Sequence, residues 1–407
     1  MKPVLFVTGH APPDRVGAFA RLHEVENVEF ALFGGPSTHG GGPAKHGGDP
    51  FAGERAGGFP FPYRHVRQHE PARLAASGRY RAVVCSSGGR VALGATWVGT
   101  RRARRPLILW TSLWAHPRSP AHALSYLALG RLYRSADAVV TYGPHVSAYV
   151  GARGARNVHI APQAVDNDFW SAPASAPPSG AGWPAEARTK FLFVGRPVRE
   201  KGLRTLIEAW RASGLQAPTA ALVLAGVGSL PHWIPAGGAA GNAHEPIRPT
   251  TKTHEPTRQT GNGHEPDPPA GNAHEPICLG PIAREELRDL YADGDVLVLP
   301  SIATRTFREP WGLVINEAMN RGLAVIASDA VGAAAGGLVR DGHNGLVVPA
   351  GDSAALAHAM TRLATDAELR TRLGRAGAQD VRAYSYDAWA EGFSKALSTL
   401  GLSRSDR

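Results

Sequence analysis

The stretch Phe191-Leu192-Phe193-Val194-Gly195-Arg196-Pro197-Val198-Arg199-Glu200-Lys201-Gly202-Leu203-Arg204-Thr205-Leu206-Ile207-Glu208-Ala209-Trp210 decides the fold. Four apolar residues in an unbroken run predict a strand covered on both faces and ending at Gly195. A short loop follows. Leu203, Leu206, Ile207 and Trp210 then recur at spacings of 3, 1 and 3, the apolar stripe of a helix. Strand, loop and helix in that order form the unit of a doubly wound α/β sheet.

The same unit repeats on either side. Downstream, residues 221–225, 296–299 and 324–327 are further apolar runs. Residues 352–382 are predicted helical. A last helix near 386–400 carries Trp389 and Phe393 at i, i+4. Upstream, strands are predicted at 4–8, 28–33, 82–85, 107–110 and 138–141, with helices at 17–24 and 121–134. Residues 34–62 hold ten glycines and are expected to be a long flexible loop. The expected organisation is a first α/β domain over 1–170, a Pro/Ala/Ser linker over 171–189, a second α/β domain over 190–385, and a helix and tail over 386–407.

One segment breaks the rhythm. His-Glu-Pro recurs every ten residues, at His244-Glu245-Pro246, His254-Glu255-Pro256, His264-Glu265-Pro266 and His274-Glu275-Pro276. A proline in each unit and few large apolar residues predict a disordered insertion over 237–276, against a weaker metal-binding or partner-docking reading.

Two cysteines, Cys85 and Cys278, exclude a disulfide framework and fit a reducing cytoplasm. No window approaches the ~18 apolar residues of a membrane span. The net charge of +10 is uneven: residues 1–190 hold 22 Lys+Arg against 11 Asp+Glu, and residues 191–407 hold 22 against 23. A basic half either meets an anionic partner or serves solubility. Arg101-Arg102-Ala103-Arg104-Arg105 is the densest run, but no nucleic-acid recognition motif accompanies it, so no nucleic-acid partner is expected. That run and the helix at 121–134 leave peripheral contact with an anionic membrane open.

Two clusters carry chemistry. Arg196 and Lys201 stand at the C-terminal edge of the 191–194 strand, where doubly wound sheets bind ligands and where two cations could neutralise a leaving diphosphate. The competing reading is surface ion pairs with Glu200 or Glu208. The second cluster is Pro300-Ser301 through Glu309-Pro310-Trp311-Gly312-Leu313-Val314-Ile315-Asn316-Glu317. A helix opening at Gly312 and running to Arg321 would leave the amides of Gly312, Leu313 and Val314 free for an anion. Glu309 would face sugar hydroxyls, and Glu317 a vicinal diol such as ribose. Taken alone, two glutamates eight apart are a weak signal, and the plainer reading is ordinary exposed helix residues.

The order of Gly195-Arg196-x4-Lys201-Gly202, Leu224-Ala225-Gly226-Val227-Gly228, Pro300-Ser301, Glu309-Pro310-Trp311-Gly312-Leu313, Glu317-Ala318-Met319 and Asn344-Gly345-Leu346-Val347-Val348-Pro349 resembles glycosyltransferase family 4. The resemblance covers about 190–395 and extends more weakly into the first half. It implies the GT-B architecture: two Rossmann-like domains facing a cleft, with a C-terminal helix returning to the first. It also implies a retaining transfer, by front-face displacement, of a sugar from a UDP- or GDP-sugar donor to an acceptor hydroxyl. The donor is a substrate, and no cofactor or metal is expected. Glu309 and Glu317 match the E-x7-E pair, with Glu309 on the donor sugar and Glu317 on its ribose. Arg196 and Lys201 match the diphosphate-holding pair. His116 falls where the family often has a histidine at the transfer site, and Gly17 matches a glycine loop near the phosphates. Trp311 stands where phenylalanine is usual, and Gly336-Gly337 where an acidic residue often follows. The repeats replace a helix, which puts the base pocket in doubt. The alternative is a catalytically silent GT-B protein that binds nucleotide sugars or scaffolds an assembly. The acceptor, a sugar, lipid or small molecule, is not legible.

Overall fold

The computed structural model describes residues 1–34, 58–89, 91–174, 183–184, 186–234 and 275–404. The expected insertion at 237–276 lies outside the described residues except for Glu275 and Pro276. The first half runs β1 (Val4–Thr8), α1 (Pro13–Glu26), β2 (Val28–Leu32), β3 (Tyr63–His65), α2 (Pro71–Ala76), β4 (Val83–Ser86), α3 (Ala92–Ala103), β5 (Leu107–Thr111), α4 (Pro120–Ser135), β6 (Ala138–Thr141), α5 (Pro144–Gly151), β7 (Val158–Ile160) and α6 (Asn167–Ser171). The second runs β8 (Lys190–Val194), α7 (Leu203–Ser213), β9 (Ala221–Ala225), β10 (Ile277–Leu279), α8 (Arg284–Asp293), β11 (Val296–Leu299), α9 (Leu313–Asn320), β12 (Ala324–Ser328), α10 (Gly332–Ala335), β13 (Leu346–Val348), α11 (Ser353–Thr365), α12 (Ala367–Asp380) and α13 (Tyr386–Ser398).

Two parallel sheets result, ordered β3-β2-β1-β4-β5-β6-β7 and β10-β9-β8-β11-β12-β13. Alternate strand residues explain why the runs are unbroken. Phe191 and Phe193 join α7 and α11 on one face, while Leu192 and Val194 join Tyr291 of α8 and Ile315 of α9 on the other. A strand sandwiched by helices needs apolar side chains on both sides. Each domain is Rossmann-like, as the GT-B expectation required. Strand order reverses between β1 and β4 and again between β8 and β11. Loops leaving such a pair diverge and open a crevice at the C-terminal edge.

The last helix crosses back. Trp389 and Phe393 of α13 enter the first domain's core, with the Phe393 ring 5.5 Å from Phe6. A Cβ on Gly392 would lie 2.3 Å from the Ile160 carbonyl, so α13 lies directly against β7. Beyond it, Ser403 donates to Glu26 at 2.7 Å, and Glu26 pairs with Arg81 at 2.7 Å in the interior.

Three expectations change. The helical stretch at 352–382 is two helices, because the Asp366 carboxylate accepts the Leu369 amide and caps α12. The helix after Gly312 ends at Asn320 rather than Arg321. Phe61, expected in a flexible loop, is core, with its ring 4.6 Å from Phe30.

Candidate active site

The loops leaving β8 and β11 press together. Gly202 has φ 70°, and a Cβ there would lie 1.9 Å from the Pro300 carbonyl. Only glycine permits that approach. Lys201, in the short helical turn Arg199–Lys201, consequently reaches the other loop. Its ammonium donates to Glu309 Oε2 at 2.6 Å, and Ser301 Oγ donates to the same oxygen at 3.2 Å. The competing reading of surface pairs with Glu200 or Glu208 is not seen among the described residues: Lys201 pairs with Glu309, and Glu208 binds Arg204 at 2.7 Å. Arg196 is exposed at the end of β8.

The Glu309 backbone is also held. Its carbonyl accepts from Gly332 N at 3.1 Å and from the Trp114 indole N–H at 3.2 Å. Trp114 comes from the loop after β5, so the first domain grips the peptide that carries Glu309. His145, at the start of α5, packs beside it, its ring 5.0 Å from Trp114 and 6.1 Å from Trp311. Burial pushes the His145 imidazole down to about 4, with the Pro310 backbone acting the other way, so it is neutral at neutral pH.

Gly312 has φ 94° and precedes α9. Ile315 N is the first amide there with a backbone acceptor, the Gly312 carbonyl at 3.0 Å; Gly312, Leu313 and Val314 donate no backbone hydrogen bond among the described residues. These amides stand at the start of α9, where the positive end of the helix dipole lies. Further along, Glu317 accepts from the Tyr291 hydroxyl at 2.9 Å. Burial raises the Glu317 carboxyl to about 7; the Tyr291 hydrogen bond and Arg284 lower it, and Asp14 adds to the rise. Glu309 and Glu317 are 7% and 9% exposed, which overturns the reading of them as ordinary surface glutamates.

Other residues stand apart. His116 is tied to its own domain, through the His122 carbonyl at 2.7 Å and the Tyr149 hydroxyl at 3.4 Å; among the described residues no contact joins it to Glu309 or Lys201. Gly17 faces the Tyr386 ring, 2.2 Å from where its Cβ would lie, which gives it a packing reason. Sequence reasoning missed Trp114, His145 and Tyr291. Trp114 sits two residues before His116 and carried a signal only as an aromatic in that loop. It also missed the seam in which Trp311 donates to Asn316 at 2.8 Å, Asn316 to the Gln163 carbonyl at 2.9 Å, and Arg15 to the Gln163 side chain.

Residues 270–380 match the family model described as glycosyl transferases group 1. A D-inositol 3-phosphate glycosyltransferase of Streptomyces bingchenggensis is 38% identical over 110 residues, 26% of this chain and 22% of that protein. A phosphatidyl-myo-inositol mannosyltransferase of Mycobacterium leprae is 40% identical over 111 residues, 27% of this chain and 28% of that protein. The chain thus matches only about a quarter of the length of these relatives. Among solved structures, Anabaena HepE in complex with UDP and glucose superposes with a TM-score of 0.66 at 17% identity, over 98% of this chain and 100% of that one. Sucrose-phosphate synthase of Thermosynechococcus elongatus does so with 0.65 at 18%, over 98% and 99%. Glu309 and Glu317 therefore lie in the segment that matches the glycosyl transferases group 1 model, set in a chain that shares the fold of these solved proteins.

Proposed function

We propose that this protein is a retaining glycosyltransferase that takes a sugar from a nucleoside-diphosphate sugar, UDP foremost, and passes it to an acceptor hydroxyl. The observation that carries the reading is the convergence at one sheet edge of exposed Arg196, Lys201, the α9 amides and two buried carboxyls. Arg196, Lys201 and the amides of Gly312, Leu313 and Val314 would hold the diphosphate and stabilise the charge it gains on leaving. Lys201 would then divide its charge between Glu309 and a phosphate oxygen. Glu309, freed in part from its cation, would accept from donor-sugar hydroxyls, and Glu317 would hold the ribose diol. The acceptor hydroxyl would attack from the face the diphosphate leaves, its proton passing to a phosphate oxygen. His116 would sit on the acceptor side. HepE, of the same fold, binds UDP and UDP-glucose, which supports a uridine donor.

The test pairs binding with turnover. A panel of nucleotide sugars is screened by thermal shift, since a ligand that binds only the folded state raises its melting point. Glu309→Gln is expected to keep donor binding within a few-fold and to lower transfer or donor hydrolysis by about 100-fold or more. Binding without turnover in the wild-type protein would select the silent nucleotide-sugar-binding alternative. No response to any nucleotide sugar would remove both.

A further inference from the structure

Between Glu70 and Asp137 the chain holds eleven arginines and no Asp, Glu or Lys. The fold gathers part of that segment on one side of the first domain. Helices α3 and α4 cover the same face of the first sheet, where Leu93 is core and Trp97, Leu129 and Leu132 pack against it. They are tied at their C-terminal ends: the Trp97 indole donates to Ser135 Oγ at 3.1 Å, and Arg101 donates to the Ser135 carbonyl. The opposite faces of both helices look outward. Val98 is 39% exposed and Leu127 is 72% exposed. One turn beyond Val98 come exposed Arg101 and Arg102, and beyond Leu127 come exposed Arg131 and Arg134. The next carboxylate along the chain, Asp137, turns away and accepts the Leu107 amide at 2.8 Å.

We propose that this α3–α4 face docks on an anionic phospholipid surface. Guanidinium groups are weakly hydrated and fork onto phosphate oxygens, so arginine suits a layer of phosphodiesters. Exposed aliphatic tips set among the cations add what a purely electrostatic surface lacks, a group that gains by entering the acyl boundary. A nucleic acid would use the arginines but has no place for Leu127, because its sequence-independent binding is counterion release from phosphates. The inference does not rest on sugar transfer and would stand if the donor reading failed.

The full chain is sedimented with vesicles of phosphatidylcholine alone and with vesicles of phosphatidylcholine and phosphatidylglycerol, without donor or acceptor. Partition onto the anionic vesicles is expected to exceed that onto neutral ones by about 100-fold, several arginines acting together, and to collapse near ~1 M salt. Arg102→Ser/Arg131→Ser is expected to weaken it by about tenfold or more. Leu127→Ser is expected to weaken it by about fivefold or more. Both variants alter outward positions and should keep the wild-type melting temperature. Equal partition onto both vesicles, or no binding, overturns the proposal. So does an unchanged Leu127→Ser protein that binds a labelled DNA duplex as tightly as anionic vesicles, which would mark a general polyanion surface.

Discussion

Glu309 and Glu317 stand eight residues apart, both buried, in opposite electrostatic surroundings. Glu309 faces a lysine at 2.6 Å and a serine hydroxyl. Glu317 faces a tyrosine hydroxyl at 2.9 Å, with Asp14 and Arg284 acting only at longer range. A carboxylate paired with an ammonium keeps its charge in the interior, whereas one given only a neutral donor is pushed toward its protonated form. The same residue type thus appears once in an ion pair with Lys201 and once, further along in α9, as a carboxyl that burial raises to about 7.

The largest effect expected falls on the paired glutamate. Lys201→Met leaves Glu309 buried against an apolar stem and should cost about 3 kcal/mol of unfolding free energy. Lys201→Met/Glu309→Gln should recover most of that loss. A urea-denaturation double-mutant cycle measures it, and strict additivity would break the contrast between the two sites.

The unpaired glutamate should show itself through pH. An unfolded glutamate titrates near ~4.3, while Glu317 in the fold titrates at about 7. Between these values the native state keeps a proton that the unfolded state releases, so stability falls as pH rises through the window and the loss is complete above it. Glu317→Gln cannot ionise. It should match the wild type at pH ~4 and exceed it by on the order of 2 kcal/mol at pH ~8. A variant no more stable than the wild type at the higher pH would mean that Glu317 is as well compensated as Glu309.

The smallest effect sharpens how Glu309 is placed. Trp114→Phe keeps the ring and removes one neutral hydrogen bond to the Glu309 carbonyl, worth about 1 kcal/mol. About a fivefold drop in kcat/KM, with donor binding unchanged, is expected. An unchanged rate would mean that the first domain does not position Glu309.

The strands with unbroken apolar runs were legible because sandwiching by helices demands that composition. The four three-residue strands β3, β7, β10 and β13 were not, and all four are sheet edges. Tyr63-Arg64-His65 is exposed throughout and carries no apolar run, whereas Ile277–Leu279 and Leu346–Val348 are apolar but only three residues long. Helix α3 was expected between its two flanking strands, but its bounds were not legible. Gly99 lowers its helical signal and is there because a Cβ would lie 2.3 Å from the Ala72 carbonyl of α2. In the site, the resemblance and the helix start between them singled out both glutamates, and the loop context singled out Arg196 and Lys201. The partnerships were beyond reach. Lys201 and Glu309 are 108 residues apart, Trp114 and Glu309 are 195, and neither pairing leaves a local pattern.

The return of α13 to the first domain has a consequence for how the molecule is made. Phe6 and Phe19 begin the chain, yet the aromatic cover over them arrives with Trp389 and Phe393. During synthesis the first domain emerges with that apolar wall open and cannot close until the second domain has left the ribosome. The second domain is thus held inside the first as an insertion, joined by two passages of chain, one after α6 and one before α13. Two passages of chain, where a single tether would be the simpler arrangement, therefore join the domains.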